Sequence, residues 1–389
     1  MNIERFRESP SGYLVPTTLG EVDSWAFVPN PLPPDLAVDW EMARALSAAD
    51  RALSELAGLG RTMPNPHLLI GPFIRREAVL SSRIEGTQAD IVDLYAYEAG
   101  QLYLPGFAPP RPEADLREVR NYVRAMEYGL ERMGALPVSL RLVRELHEHL
   151  LQGGRGERSR PGQFRQGQNY VGRPGDPATE ARFVPPPVPE MLQALDAFEK
   201  YLHSPDTHPP LVHLAFIHYQ FEAIHPFSDG NGRIGRLLVS LLLIAWDLLP
   251  LPLLYLSAYF ERLRQDYYDL LLAVSEQGAW PEWVLFFLRG VEEQARDAVA
   301  RVKRLQDLQL EWRERLRREH RSGLVLDLGD TLFASPLVSA NDVARQFQVS
   351  HPAAMLALRR LEEMGLVEEI SGRQRNRLYL ARAIVTIIE

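Results

Sequence analysis

At 389 residues the chain is too long for one ordinary core and suits two or three domains. A composition of 46% hydrophobic and 24% charged residues is that of a folded globular protein and excludes wholesale disorder. With no cysteine the chain forms neither disulfides nor thiolate metal sites, which fits a reducing, cytoplasmic setting, and its net charge of −8 argues against a globally basic nucleic-acid binder.

The start, MNIERFRESP, alternates charge with apolar residues and lacks the apolar run behind a basic flank that marks a secretory leader. The first forty residues, Pro-rich around Asn30 to Leu36, read as an extended arm packed on its surroundings. Helical spacing of Ala, Leu and Met runs from Trp40 to about Leu56, and a second helix from about Pro72 to Glu85 meets a stop signal at Gly86. Beyond the loop LPGFAPPRPE, three helical segments are predicted at Leu116 to Met133, Ser139 to Leu151 and Pro189 to Tyr201. Between the last two, glycines, prolines and the pieces QNYV and ARFV predict a hairpin near Arg165 to Val184, turning at GRPGDP. It is the one β element expected in the first three hundred residues. The most apolar stretch, Leu237 to Leu256, is interrupted by Asp247, Pro250 and Pro252; it is too short to span a bilayer and reads as a core helix. From Val291 to Leu316 one apolar stripe at three- and four-residue spacing predicts a connecting helix. The expected organisation is an amino-terminal helical region over 1–105, a core over 106–290, the connecting helix over 291–320 and a small domain over 321–389.

The stretch HPFSDGNGRIGR, His225 to Arg236, concentrates chemistry between two of these helices. Gly230 and Gly232 flank Asn231, and three residues that tolerate positive φ can form a nest of inward-pointing amides. A strongly helical run follows, so the nest would sit at a helix N-terminus with Arg233 and Arg236 on its first turns. Two cations at the positive end of a helix call for an anion, and phosphate is the natural candidate. Asp229 beside phosphate suits a divalent cation, since Mg²⁺ is bound by one or two carboxylates together with phosphate oxygens. His225, just before the turn, could accept a proton from a hydroxyl. Together these suggest phosphoryl-type transfer from a Mg-nucleotide, without the Walker A string. Two plainer readings stay open: DGNG is a common turn, and His213, His218 and His225 could form a metal set, although a spacing of five between the first two suits a shared helix face poorly.

The same stretch resembles the Fic family motif HxFx(D/E)GNGRxxR at all eight specified positions, and HYQFEAIHPF and RPGQFR…ARFVPPP also look like a Fic core. The resemblance covers most of the chain and implies a mainly α fold: a helical core with a β-hairpin flap. It further implies AMP transfer from ATP to a Ser, Thr or Tyr hydroxyl of a target protein. His225 would be the base, Asp229 would hold Mg²⁺, Gly230, Asn231 and Gly232 would cradle phosphate, Arg233 would support them and Arg236 would hold the γ-phosphate. The hairpin would hold the target backbone by adding a strand, and Tyr267 in DYYDLLLAV would contact adenine. SSRIEG, Ser81 to Gly86, matches the pattern (S/T)xxxE(G/N) of the family's inhibitory helix, which implies that Glu85 pairs with Arg236 and blocks the γ-phosphate. Its place before the core is the class II arrangement. Reversal of the modification and self-modification are further options the resemblance carries.

The tail reads as helix (Ser339 to Phe347), turn, helix (Ser350 to Met364) and two strands (Val367 to Leu380), with Arg373, Arg375 and Arg377 near the hairpin tip. It is similar to a winged helix. Residues 330–389 carry seven arginines and seven acids, so the segment has no net charge and DNA binding is not favoured over partner docking or a homodimer. A nucleotide-sensing transcriptional regulator is the alternative to the enzyme.

Overall fold

The computed structural model describes residues 1–63, 66–100, 112–153, 159–172, 177, 180–204, 208–319, 322–373 and 375–389. The fold is mainly helical. Strands β1 (Gly12–Leu19) and β2 (Val22–Pro29) precede α1 (Trp40–Thr62), α2 (His67–Ile84), α3 (Ile91–Glu98), α4 (Glu113–Arg132) and α5 (Leu140–Leu151). Helices α6 (Val188–Leu202), α7 (Pro210–Ile224), α8 (Asn231–Ala245), α9 (Ser257–Arg262), α10 (Arg264–Gln277) and the long α11 (Trp280–Arg318) follow. Then come α12 (Gly323–Thr331), β3 (Leu337–Ser339), α13 (Ala340–Gln346), α14 (His351–Glu363), β4 (Glu368–Glu369), β5 (Leu378–Leu380) and α15 (Arg382–Ile388). No helix among the described residues is long and apolar enough to cross a membrane.

Two compact units result. The first gathers residues 1–54, 124–249 and 254–295; the second gathers 55–123, 250–253 and 296–389. In the first, α7 is buried on nearly every side, as its all-round apolar sequence requires, and α5, α6, α8 and α10 pack on it or on each other. Trp283 of α11 closes the core by donating from Nε1 to the Ala215 carbonyl at 2.9 Å.

The arm before Trp40 departs from the sequence expectation. Residues 12–29 form a two-stranded antiparallel hairpin with Gly12 opposite Pro29 and Leu19 opposite Val22. The two-residue turn is made by Gly20 at φ +64° and Glu21. Proline density hid the alternation of YLVPTTL and VDSWAFV. Pro16 is tolerated because β1 is an edge strand, where a missing N–H costs no ladder bond. The hairpin expected at 165–184 is, among the described residues, a single antiparallel bridge between Val171 and Phe183; most of its predicted turn, at 173–176, lies outside the described residues. The two β pieces join: Phe27 N–H donates to the Val184 carbonyl at 2.8 Å, and Leu19, Ala26, Ala181 and Val184 form one apolar cluster.

In the second unit, α13 and α14 stand where the tail was expected to be helical, and the two predicted strands gain a third partner, giving the antiparallel order β3-β5-β4. Ser339 and Asp342 cap α13 reciprocally, and Ser350 caps α14. The connecting helix is longer than its stripe predicted: α11 begins at Trp280, eleven residues before Val291. Its predicted apolar positions Val302, Leu305, Trp312 and Leu316 are buried.

Gly12 tests the arm hairpin, because a Cβ there would lie 2.3 Å from the Val28 carbonyl oxygen and 2.5 Å from the Phe27 ring. Gly12→Ala is expected to cost about 1–3 kcal/mol through overpacking, read as faster amide exchange across residues 13–28; unchanged exchange would contradict the pairing.

Candidate active site

The chain turns from α7 into α8 through the six residues 225–230, of which Pro226, Phe227 and Gly230 are buried and Ser228 is exposed, and the turn is braced from several sides. His225 occupies the left-handed region (φ 49°, ψ 60°), with its N–H bonded to the Phe221 carbonyl at 3.0 Å. A non-glycine residue held there is strained and persists only where its surroundings over-determine it. Arg165 supplies much of that constraint. Its Nε donates to the His225 carbonyl at 3.0 Å, its backbone N–H donates to the Pro226 carbonyl at 2.9 Å, and its remaining nitrogens donate to the Gly167 and Pro186 carbonyls. The side chain is buried, which lowers the guanidinium pKa to about 10 and leaves it charged at neutral pH.

Asn231 clamps the middle of the turn. Its Oδ1 accepts from Phe227 N–H and its Nδ2 donates to the Phe227 carbonyl, both at 2.8 Å, while Asn169 Nδ2 reaches the same carbonyl at 3.1 Å. Gly230 has φ +79°, and a Cβ there would press on Leu150 at 3.2 Å. The Phe227 ring stacks on His147 of α5 at 3.7 Å between centroids and 8° between planes.

His147 is fully buried, and its protonation follows from its partners. Gly162 N–H donates to Nδ1 at 3.0 Å, so the neutral ring carries its proton on Nε2 and donates it to the Asp229 carbonyl, also at 3.0 Å. Desolvation lowers its pKa to about 4 against the pull of Asp229. Sequence reading passed over both His147 and Arg165. His147 was within reach, since it falls on the buried face of α5 with Val143, Leu146 and Leu150.

Beyond the turn, two arginines stand on the first turns of α8. Arg233 is 4% and Arg236 2% exposed. Arg233 approaches Asp229 Oδ1 at 3.3 Å, and the same oxygen accepts Gly230 N–H at 2.6 Å; the Asp229 side chain is 44% exposed. Next to Arg236 is His218, whose pKa is pushed down to about 3 by burial first and then by the Arg236 cation. His218 Nε2 hydrogen-bonds the Tyr267 hydroxyl at 2.9 Å, and the Tyr267 ring stacks on Phe260 at 4.5 Å. Tyr267 of α10 is therefore a buried member of an aromatic cluster with His218, Phe260 and Trp283. His213 packs between Tyr201 and Trp246, and among the described residues no three His, Asp or Glu side chains group to hold a metal. The arrangement offers a helix N-terminus, two buried guanidiniums, the half-exposed Asp229 carboxylate, the Glu222 carboxylate against Gly235 and a braced histidine, a set chemically able to receive an anion beside a proton acceptor.

Ser81 and Glu85 belong to the second unit. Ser81 is buried in α2; Glu85 caps the helix, exposed, with its N–H donating to the Ser82 carbonyl at 3.0 Å, and Gly86 follows at φ +102°.

A buried histidine that is neutral when folded couples stability to pH. His147 takes up a proton near its ordinary 6.5 when unfolded but only near 4 when folded, so its contribution is intact above pH 6.5 and falls as pH drops toward 4. Over that window the first unit is expected to lose about 3 kcal/mol on this account, and His147→Gln should flatten the slope in denaturation measured against pH. Identical slopes would overturn the neutral assignment.

Residues 137–243 match the family model for the Fic/DOC family, and residues 43–131 match the model for the Fic/DOC family N-terminal region. The two together span about half of the chain. The protein adenylyltransferase Fic of Drosophila persimilis is 34% identical over 134 residues, 33% of this chain and 24% of that protein. The protein of the same name from Aedes aegypti is 32% identical over 141 residues, 36% of this chain and 25% of its own length. The match thus spans about a quarter of the length of these curated relatives. A solved structure of a Fic family protein from Desulfovibrio desulfuricans G20 shares the fold, with a TM-score of 0.57 over 90% of this chain and 98% of that one at 21% identity. Two adjoining family models, the complete motif on its braced turn and the shared fold agree: the chain belongs to the Fic/DOC family.

Proposed function

We propose that this chain transfers AMP from ATP to a Ser, Thr or Tyr hydroxyl of a target protein. The observation that carries the reading is the braced turn itself, which fixes His225, Asp229, Arg233 and the N-terminus of α8 in one place, with the Arg236 guanidinium buried one turn further on. The activity named for the Drosophila and Aedes relatives supports the choice of reaction.

In this reading the amides at Asn231 and Gly232, which α8 does not satisfy internally, receive phosphate oxygens with Gly230 at the turn. The Asn231 side chain is engaged with Phe227, so its contribution to phosphate is through the backbone. Arg236 holds the γ-phosphate and Arg233 holds Asp229. Asp229 fits Mg²⁺, since a single outward-facing carboxylate completed by phosphate oxygens is a usual way to bind it. When bound, the ion neutralises charge on the α- and β-phosphates. His225 accepts the proton of the target hydroxyl while its oxygen bonds to the α-phosphorus and the bond to pyrophosphate breaks. Positioning and charge stabilisation supply most of the rate. Tyr267 would contact adenine in this reading, with its hydroxyl fixed by His218 Nε2. The segment that includes the Val171–Phe183 bridge would receive the target backbone.

Glu85 acts as a brake in this reading. An anion at the C-terminal end of α2 opposes the helix dipole, and pairing with a guanidinium would relieve it. Withdrawing Arg236 from the γ-phosphate would hold ATP in an unproductive pose.

Incubation with Mg²⁺ and ATP labelled at the α-phosphate, with extract as a source of targets, tests both parts. His225→Ala is expected to lower labelling by about 10²–10⁴-fold while ATP still raises the melting temperature. Glu85→Gly is expected to label more strongly than the native chain. Absence of labelling in every sample, with ATP binding kept, would favour a nucleotide-sensing regulator and direct attention to DNA binding by the tail.

A further inference from the structure

Within the second unit, α2 is held along its length by the carboxyl-terminal part of the chain. Near its start, Gly71 faces Ala334, whose carbonyl oxygen would lie 3.6 Å from a Cβ there, at ordinary contact distance. At its middle, Arg76 approaches Asp297 at 3.7 Å. Asp297 also takes Arg301 Nε at 2.6 Å, and Arg301 Nη1 donates to the carbonyls of Ile387 at 2.6 Å and Ile388 at 3.0 Å. At its end, Arg83 is within electrostatic range of Glu389. The apolar contacts run the same way: α15 packs on α2 and β3 lies against α3, with Ile384, Val385, Ile387 and Ile388 buried.

The charges make this a strap rather than incidental packing. The last carbonyls of a helix have no partner within it and carry the negative end of its dipole. Arg301 supplies α15 with its missing donors, and it does so only while α15 is docked. One carboxylate, Asp297, then stands between Arg301 and Arg76, whose side chains are 15% and 14% exposed. Undocking α15 leaves Arg301 without those acceptors and redistributes Asp297 between the two cations, so the change reaches α2 two turns before Glu85.

We infer that the carboxyl-terminal module, residues 323–389, fastens the helix carrying Ser81 and Glu85 through the series Arg76–Asp297–Arg301–α15, and that the docking of α15 sets the brake. A partner that competes for α15 or bends the module away would release it. The inference rests on the reading of Glu85 as a brake.

Arg301→Gln tests it, with Arg301→Lys as the conservative variant and Asp297→Asn as a second cut. Each is measured alone and combined with Glu85→Gly. The first readout needs no activity: the amides of Glu85, Gly86 and Thr87, bonded at 3.0, 3.0 and 3.2 Å, are expected to exchange about tenfold faster in Arg301→Gln, the factor that 1.4 kcal/mol corresponds to. Arg301→Lys should recover part of the protection. The second readout is AMP labelling, expected to rise severalfold in Arg301→Gln and not to rise further once Glu85 is glycine. Unchanged exchange overturns the strap, as does an equal rise with and without Glu85. If exchange quickens while Glu85→Gly raises no labelling, the brake reading has failed and the inference falls with it. That outcome is distinct from failure of the strap, in which exchange stays slow. Loss of protection throughout α11 to α15 would mark unfolding, and Asp297→Asn then decides by the same two readouts.

Discussion

The join between α7 and α8 is the constraint on which the first unit depends. Both helices are buried by their own apolar sequences, and of the six residues that connect them Pro226, Phe227 and Gly230 are buried as well, while Ser228 is exposed. The buried part of the turn must find partners for its backbone N–H and carbonyl groups. The partners come from four side chains: His147, Arg165, Asn169 and Asn231. Bracing precedes chemistry here, since the turn that keeps its polar groups satisfied is also the one that holds His225 in the left-handed region.

That bracing settles the charge balance of the site. His147 and His218 are buried neutral, so neither adds positive charge beside α8. Arg233 and Arg236 stand there with the Asp229 carboxylate at the turn and the Glu222 carboxylate against Gly235, and the helix dipole adds to the cations. In the proposed reaction, nucleotide phosphate would meet these guanidiniums and the positive end of the helix with oxygens suited to fixed donors.

Much of this was legible in the sequence, and the boundary of legibility has a physical cause. Helices α5, α6 and α8 announced themselves through apolar spacing, the motif through Gly230, whose left-handed conformation the turn uses, and α13 and α14 through the helix, turn, helix pattern of the tail. The hairpin of β1 and β2 was hidden because proline density outweighed a β-type alternation that an edge strand can carry. Strand β3 was too short to declare itself before its partner β5 was in place. The bracing roles of His147, whose burial its helix face did indicate, and of Arg165 escaped for another reason. Each is defined by distant backbone carbonyls, and no spacing along the chain encodes a carbonyl sixty or eighty residues away.

Arg165 also bears on how the site can move. Its guanidinium binds a carbonyl of its own segment, at 167, and one from each of two distant segments, at 186 and 225. Parting any one of them from the fork exposes a buried donor with no acceptor, at a cost of about 1–3 kcal/mol. Small openings confined to one segment are therefore suppressed, and the three segments open as one cooperative block. A target chain, if it binds as proposed, would meet segments that are tied together at one guanidinium and so yield together.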